Sequence, residues 1–276
     1  MDVVITLNEL RLARSRLIEP VGLVPTMGFL HAGHLSLVKK ARLDCASLVV
    51  SIFVNPSQFG PHEDLNKYPR DLQRDVDLLR SADVDLVWTP TNEVMYPPGY
   101  QTWVTVDEVS VPLEGAIRPG HFRGVATVVA KLFNAVQPQK AYFGQKDAQQ
   151  AVVISRMGRD LDYPTEIVVC PTMREPDGLA MSSRNVYLSP EERQSATVLS
   201  RALFRTRAVF EAGERDVSQL RKVVLDTLAT EPSVKVQYVS CAHPDTLQEL
   251  EGQADRVLIS LAATVGKTRL IDNIVI

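Results

Sequence analysis

Cysteine is scarce in this chain: Cys45, Cys170 and Cys241 are the only three, an odd number, far apart and without Cys-x-x-Cys spacing. That argues against a disulfide scaffold or a structural zinc site, and the three read as small buried hydrophobes of a reducing compartment. An uninterrupted apolar run of roughly 18 or more residues, which a bilayer span requires, is also lacking. The opening stretch Met1 to Leu10 is interrupted by acidic and polar side chains. Lysine and arginine number 30 against 33 acids, a net charge of −3, with no basic block of the kind that tracks a nucleic-acid backbone. The expectation is a cytoplasmic protein with neither membrane nor nucleic acid among its partners. Internal repeats and low-complexity segments are missing too.

What is present is enough apolar sequence, 45% of 276 residues, for a large core and a smaller appendage. Short apolar runs alternate with amphipathic stretches. Val21–Thr26, Leu48–Val54 and Val84–Trp88 read as buried strands, with helices over Leu35–Ala41 and Arg70–Arg80 between them. The order continues with a helix Val125–Val136, a strand Lys140–Phe143, a helix Ala148–Met157 and a strand Glu166–Cys170. Continuous apolar strands alternating with helices predict an α/β fold, a parallel sheet with helices on both faces and ligands at the carboxyl ends of its strands.

Past Arg184 the texture changes. Ser189-Pro190-Glu191-Glu192 is a strong helix start and opens a long helix to about Ala212. A helix Val217–Ala229 and strands near Val234–Ser240, Arg256–Ala263 and Thr268–Ile276 follow, the make-up of a smaller α+β domain. The boundary is placed in the turn-rich Met173-Arg174-Glu175-Pro176-Asp177-Gly178. This gives a domain 1–175 and a domain 176–276, the second expected to act as a lid.

The residues suited to chemistry fall in two distant motifs. Met27-Gly28-Phe29-Leu30-His31-Ala32-Gly33-His34 follows the first buried strand. It places two imidazoles on a helix's first turn, where free amides and the helix dipole favour an anion, and two glycines let a phosphate approach the backbone. Met181-Ser182-Ser183-Arg184 adds two hydroxyls and a guanidinium, so that the two motifs are equipped to hold a triphosphate. Either alone could be an ordinary polar loop.

Gly144-Gln145-Lys146-Asp147 sits at a strand-to-helix turn, where a lysine can reach a phosphate and an aspartate can cap the helix, hold the lysine or hold a metal. Gln150, a helical turn on, is expected to face the same side. Gln58 lies at another carboxyl edge and can donate and accept at once, which suits a ligand carrying hydroxyl and carboxylate. Glu114 to Gly124, with two arginines and His121, looks like a mobile flap or a plain surface connection. No Gly-x-x-x-x-Gly-Lys-[Ser/Thr] loop, Gly-x-Gly-x-x-Gly fingerprint or Gly-x-Ser-x-Gly elbow occurs. Paired histidines without such a loop point to attack at the α-phosphorus of ATP rather than to γ-phosphoryl transfer.

Taken together the motifs resemble those of the pantothenate synthetase (pantoate–β-alanine ligase) family. The resemblance rests on Val24-Pro25-Thr26-Met27-Gly28-x-Leu30-His31-x-Gly33-His34, Ser51 to Phe59, Arg118 to Val125, Phe143 to Gln150, Asp177 to Asn185, and Arg269-Leu270-Ile271-Asp272-Asn273 near the end. It is thinner between Ser189 and Val265. It implies a Rossmann-like nucleotidyltransferase fold related to class I aminoacyl-tRNA synthetases, a homodimer, and the formation of pantothenate, AMP and diphosphate from ATP, (R)-pantoate and β-alanine, with Mg²⁺. It further implies that Met27 to His34 line the ATP site, with His34 as proton donor and His31 and Lys146 beside it in catalysis. Gly144, Gln145, Lys146, Asp147, Met173, Met181, Ser182, Ser183 and Arg184 would bind ATP, and Gln58 and Gln150 the pantoate, Gln58 also lying near β-alanine. Gln145 stands where some relatives carry glutamate, of little expected consequence if its backbone does the binding. Two other readings stay open: a transferase that attaches a nucleotide to a phosphorylated substrate, and a nucleotide-binding module without catalysis.

Overall fold

The computed structural model describes residues 1–61, 63 and 65–276. They form two compact units: Met1–Gly144 with Gln149–Cys170, and Gln145–Ala148 with Pro171–Ile276.

The first unit is built on six parallel strands. In chain order its elements are β1 (Asp2–Val4), α1 (Leu7–Arg14), β2 (Val21–Thr26), α2 (Ala32–Asp44), β3 (Ser47–Ile52), α3 (Leu72–Ser81) and β4 (Leu86–Trp88). The short helices α4 (Asn92–Met95) and α5 (Glu114–Ile117) follow, then α6 (His121–Val136), β5 (Lys140–Gly144), α7 (Ala148–Asp160) and β6 (Glu166–Cys170). The strands lie in the order β1-β4-β3-β2-β5-β6, every pairing parallel. This is the α/β sheet expected from the alternating pattern. Val24, Leu48, Val50, Leu79 and Val87 are fully buried in one core cluster with Leu37, Val38 and Tyr142.

The strand order fixes where a ligand belongs. After β2 the chain moves outward through β3 and β4, and β5 is then laid on the other side of β2. The order therefore reverses between β2 and β5, the position where doubly wound sheets open a crevice beyond their carboxyl ends. From the pair Gly22–Lys140 both strands run on for the same distance, β2 to Thr26 and β5 to Gly144. The histidine motif follows Thr26 directly.

Element boundaries differ from the sequence reading where backbone rather than periodicity decides them. Helix α6 begins at His121, because Gly120 in left-handed backbone (φ 83°) starts it there. The Glu114–Gly124 segment is thus folded, not an open flap: α5 is followed within a few residues by α6, and Glu114 is buried. Strand β4 starts at Leu86, and the Asp85 carboxylate just before it accepts the amide of Leu48 at 2.7 Å.

The second unit joins α8 (Pro190–Glu211) and α9 (Val217–Leu228) to an antiparallel sheet β7-β8-β9 (Val234–Ala242, Leu258–Val265, Thr268–Val275). Ser189 caps α8 in a reciprocal box with Glu192, as the Ser-Pro-Glu-Glu sequence predicts. Leu199, Leu203, Leu220, Val224, Ile259 and Leu261 are fully or almost fully buried in its core. Among the described residues no helix is long and apolar enough to cross a membrane.

Candidate active site

The turn between β2 and α2 is held from three directions. Gly28 (φ 79°) and Phe29 (φ 51°) both lie in the left-handed region, which costs a phenylalanine free energy that neighbouring contacts must offset. Thr26 Oγ1 accepts the amide of Gly28 at 3.2 Å and donates to the carbonyl of Ser51 at 2.8 Å. Asp75 of α3, only 1% exposed, accepts the amides of Phe29 and Leu30 at 2.6 and 2.7 Å, one on each carboxylate oxygen. Burial pushes the Asp75 carboxyl above its usual range, while the two amides pull it back down. Leu30 is locked into the core behind the turn.

His31 is then the cap of α2, and His34 sits in its first turn. His31 Nδ1 accepts the amide of Gly33 at 3.1 Å, and His34 Nδ1 accepts the amide of His31 at 3.3 Å, a capping box made of two imidazoles. The ring centroids are 4.1 Å apart. An imidazole nitrogen that accepts carries no proton, so in this arrangement each ring is neutral with its hydrogen on Nε2. The sequence predicts free helix amides at this turn; two of them are taken by the histidines, whose remaining ring hydrogens lie on Nε2.

Gln58 closes a 3-10 turn (Pro56–Gln58) beyond β3 and is buried. Its Nε2 lies 3.2 Å from Met27 Sδ, a weak acceptor that a ligand oxygen can displace, while its Oε1 is held by Asn55 Nδ2 at 3.0 Å. The same Asn55 amide donates to the carbonyl of Gly124 at 3.2 Å. Helix α6 passes so near this turn that a Cβ on Gly124 would stand 2.3 Å from the carbonyl oxygen of Ser57. His121 adds a further anchor: its Nδ1 is 2.8 Å from the Gln58 carbonyl and its Nε2 is 3.1 Å from Arg118, which is in turn paired with Glu63 at 2.8 Å. The ring is therefore neutral with its proton on Nδ1. Burial, helped by the Arg118 charge, lowers its pKa to about 4. Gly144 ends β5, and Gln150 is half-buried on α7, next to Gln149, whose side chain braces the backbone at Val109, Pro112 and Glu114.

In the second unit Gln145, Lys146 and Asp147 form a 3-10 turn, with Lys146 Nζ 3.5 Å from Asp147 Oδ1. Gln145 is engaged through its side chain as well as its backbone, Nε2 donating to Asn273 Oδ1 at 3.0 Å. Met173 and Met181 are brought together by the bond from the Met181 amide to the Met173 carbonyl, 2.9 Å. Ser182 accepts the amide of Arg184 at 3.2 Å and leads into the 3-10 helix Ser183–Tyr187, with Ser183 buried. Asp75, Asn55, Gly124, His121 and Asn273 all support these segments, and sequence reasoning gave none of them a role. One signal was available: Asp75 interrupts the apolar stripe of Leu72, Val76 and Leu79, and a carboxylate on a core-facing stripe needs a partner.

The family model described as Pantoate-beta-alanine ligase matches residues 2–275. The chain belongs to the pantoate–β-alanine ligase family. A pantothenate synthetase from Roseiflexus sp. (strain RS-1) is 58% identical over 276 residues, covering 100% of this chain and 99% of that protein. Among solved structures, pantothenate synthetase from Thermus thermophilus superposes with a TM-score of 0.95 at 50% identity, covering 99% of each chain. The pantoate–β-alanine ligase of Francisella tularensis, crystallised in complex with beta-gamma ATP and β-alanine, gives a TM-score of 0.81 at 37% identity, with 99% of this chain and 97% of that one covered. The parallel sheet and the small antiparallel sheet are thus those of the pantoate–β-alanine ligases.

Proposed function

We propose that His31 and His34 serve the ligase reaction as neutral Nε2–H donors to the phosphate groups of ATP, and the observation that carries this reading is their reciprocal cap. The reaction is the family's ATP-dependent condensation of pantoate with β-alanine. A carboxylic acid with a pKa of about 4 is ionised at neutral pH, so the pantoate carboxylate needs no general base. Its oxygen bonds to the α-phosphorus and the α–β phosphoanhydride bond breaks, leaving pantoyl adenylate and diphosphate. The β-alanine amine then bonds to the acyl carbon, the C–O bond to AMP breaks, and the amine proton is lost to solvent.

The obstacle in the first step is charge, an anion approaching a triphosphate, so catalysis is a matter of position and electrostatics. On the family resemblance we assign ATP binding to Met27 through His34, Gly144 through Asp147, Met173 and Met181 through Arg184, with Lys146 and Arg184 supplying positive charge. Gln58 and Gln150 hold pantoate, and the ease with which Gln58 Nε2 can leave a thioether for a ligand oxygen supports this role.

Mg²⁺ fits a site of this kind in one way. Among the described residues no cluster of three or more His, Cys, Asp or Glu side chains is placed to hold a metal, and Mg²⁺ is commonly carried on substrate phosphates with one carboxylate and waters. Asp147, beside Lys146, is the carboxylate that would assist. When bound it would neutralise phosphate charge. We also assign a homodimer, to be checked by sedimentation equilibrium, and a cytoplasmic location.

The test is the dependence of each product on each substrate. Diphosphate should appear only with pantoate, and AMP only with β-alanine. A nucleotidyltransferase would instead leave a stable nucleotide-containing product, and a binding module no diphosphate at all. His34→Ala should abolish diphosphate release in a protein that still melts cooperatively; retained turnover would remove His34 from the reaction.

A further inference from the structure

Asn273 lies on β9, 5% exposed, and spends its whole side-chain amide on one turn. Its Nδ2 donates to the carbonyls of Gln145 and Lys146 at 2.9 and 2.8 Å, and its Oδ1 accepts Gln145 Nε2 at 3.0 Å. Two consecutive carbonyls bound to a single amide group fix the peptide between Gln145 and Lys146. The direction in which the Lys146 side chain leaves the backbone follows from that plane. A three-residue 3-10 turn has little hydrogen bonding of its own to do this, and lysine's flexible four-carbon stem amplifies any tilt at its root.

The residue before it extends the same device. Asp272, 2% exposed, accepts both arms of the Arg174 guanidinium at 2.6 and 2.9 Å and also the amide of Asn273 at 2.8 Å. Arg174 donates to the carbonyl of Gly178, lies with its guanidinium 4.9 Å from the centre of the Phe204 ring, and pairs across a backbone bridge with Ala180. Met173 and Met181 flank that bridge. Two adjacent residues of β9 thus fasten the turn carrying Lys146 and the loop leading into Ser182 and Ser183.

We propose that Asn273 is a positioning residue for Lys146, acting on ATP turnover through the placement of the Gln145–Lys146 peptide. This rests on the assignment of Lys146 to the ATP site. A shift of about 1 Å in a charge-bearing group can cost on the order of a hundredfold in rate, so the effect belongs in kcat/KM for ATP.

The experiment is a double-mutant cycle on the full chain: Lys146→Ala, Asn273→Ala and the pair, with kcat/KM for ATP from diphosphate release, KM for β-alanine, and the melting midpoint of each. Lys146→Ala should lower kcat/KM for ATP at least tenfold. Asn273→Ala should lower it at least tenfold in the wild type and less than twofold in the Lys146→Ala background, with KM for β-alanine within twofold throughout. Equal losses in both backgrounds, or no loss in the wild type, would overturn the positioning role while leaving Lys146 in the ATP site. A silent Lys146→Ala would overturn the ATP assignment and this proposal with it. Should Asn273→Ala not fold, Asn273→Ser, whose hydroxyl can keep one of the bonds, carries the same cycle, and additivity there would equally overturn the role.

Discussion

His31 and His34 cap one helix with each other: His34 Nδ1 takes the amide of His31, and His31 Nδ1 takes the amide of Gly33 two residues along the same turn. Protonating either Nδ1 would set an N–H against an N–H, so the cap and the neutral Nε2–H form are the same fact seen twice. The two nitrogens can be separated by substitution. Asparagine places an acceptor near the position of Nδ1, and glutamine places an amide N–H near that of Nε2. His34→Gln should keep at least ten times the diphosphate-release rate of His34→Asn, while His34→Asn should keep the higher melting midpoint because it preserves the cap, worth about 1 kcal/mol. Equal rates in the two variants would count against Nε2–H donation.

Asp75 and Phe29 make a second point of control. The left-handed Phe29 amide and that of Leu30 each find one oxygen of a carboxylate that is almost wholly shielded from water. Asp75→Asn keeps the volume but turns one acceptor into a donor facing an amide, leaving buried N–H groups opposed. A stability loss of about 1–3 kcal/mol is expected, read by urea denaturation. A fall in diphosphate-release rate of at least tenfold should come with it, because the turn that fails is the one leading into the His31 cap. A variant as stable and as fast as wild type would show that the turn holds itself.

How far the chain could be read without coordinates varies from residue to residue. The sheet was legible because β2, β3 and β5 are continuous apolar runs, buried on both faces, separated by helices of the right length. The paired histidines stood out because they follow the first such strand directly. What supports them was not legible, for the reason that its partners are remote in sequence. Asp75 reaches back about forty-five positions, and Asn273 lies almost at the far end of the chain from Gln145. Local pattern registers a carboxylate or an amide in an apolar setting but not its partner. The start of α6 was hidden in another way: His-Phe-Arg-Gly reads as loop, and the left-handed backbone of Gly120 that begins the helix leaves no periodic trace.

Gly124 is the other place where a missing side chain matters. Its helix lies against the Gln58 turn with no room for a methyl group, the nearest backbone oxygen being that of Ser57. Gly124→Ala must move one of the two segments, at a cost of about 1–3 kcal/mol. Because Asn55 bonds both the Gly124 carbonyl and Gln58 Oε1, the displacement passes directly to Gln58. KM for pantoate should rise at least tenfold, with KM for ATP changed less than threefold. An unaltered KM for pantoate would separate this turn from the acid's binding.

His121 gives the fold a pH dependence whose sign can be worked out. Its folded pKa, about 4, lies below the ordinary value of 6.5 that an unfolded chain would show. Between those two values the unfolded state binds more protons than the folded one, so the His121 contribution is fully present above pH 6.5 and is lost as the pH falls toward 4. The difference corresponds to about 3 kcal/mol at most. Asp75, whose carboxyl is raised by burial, tilts the profile the opposite way, but it is common to wild type and variant and cancels in their difference. His121→Asn retains an N–H donor near the position of Nδ1 for the Gln58 carbonyl and removes the titration. Its melting midpoint should therefore fall less steeply than that of the wild type between pH 6.5 and 4, with the two curves converging toward the acid end. Parallel curves would mean that the imidazole takes up its proton in the folded protein as easily as in the unfolded chain, and that the network from Glu63 through Arg118 to Gln58 does not hold it neutral.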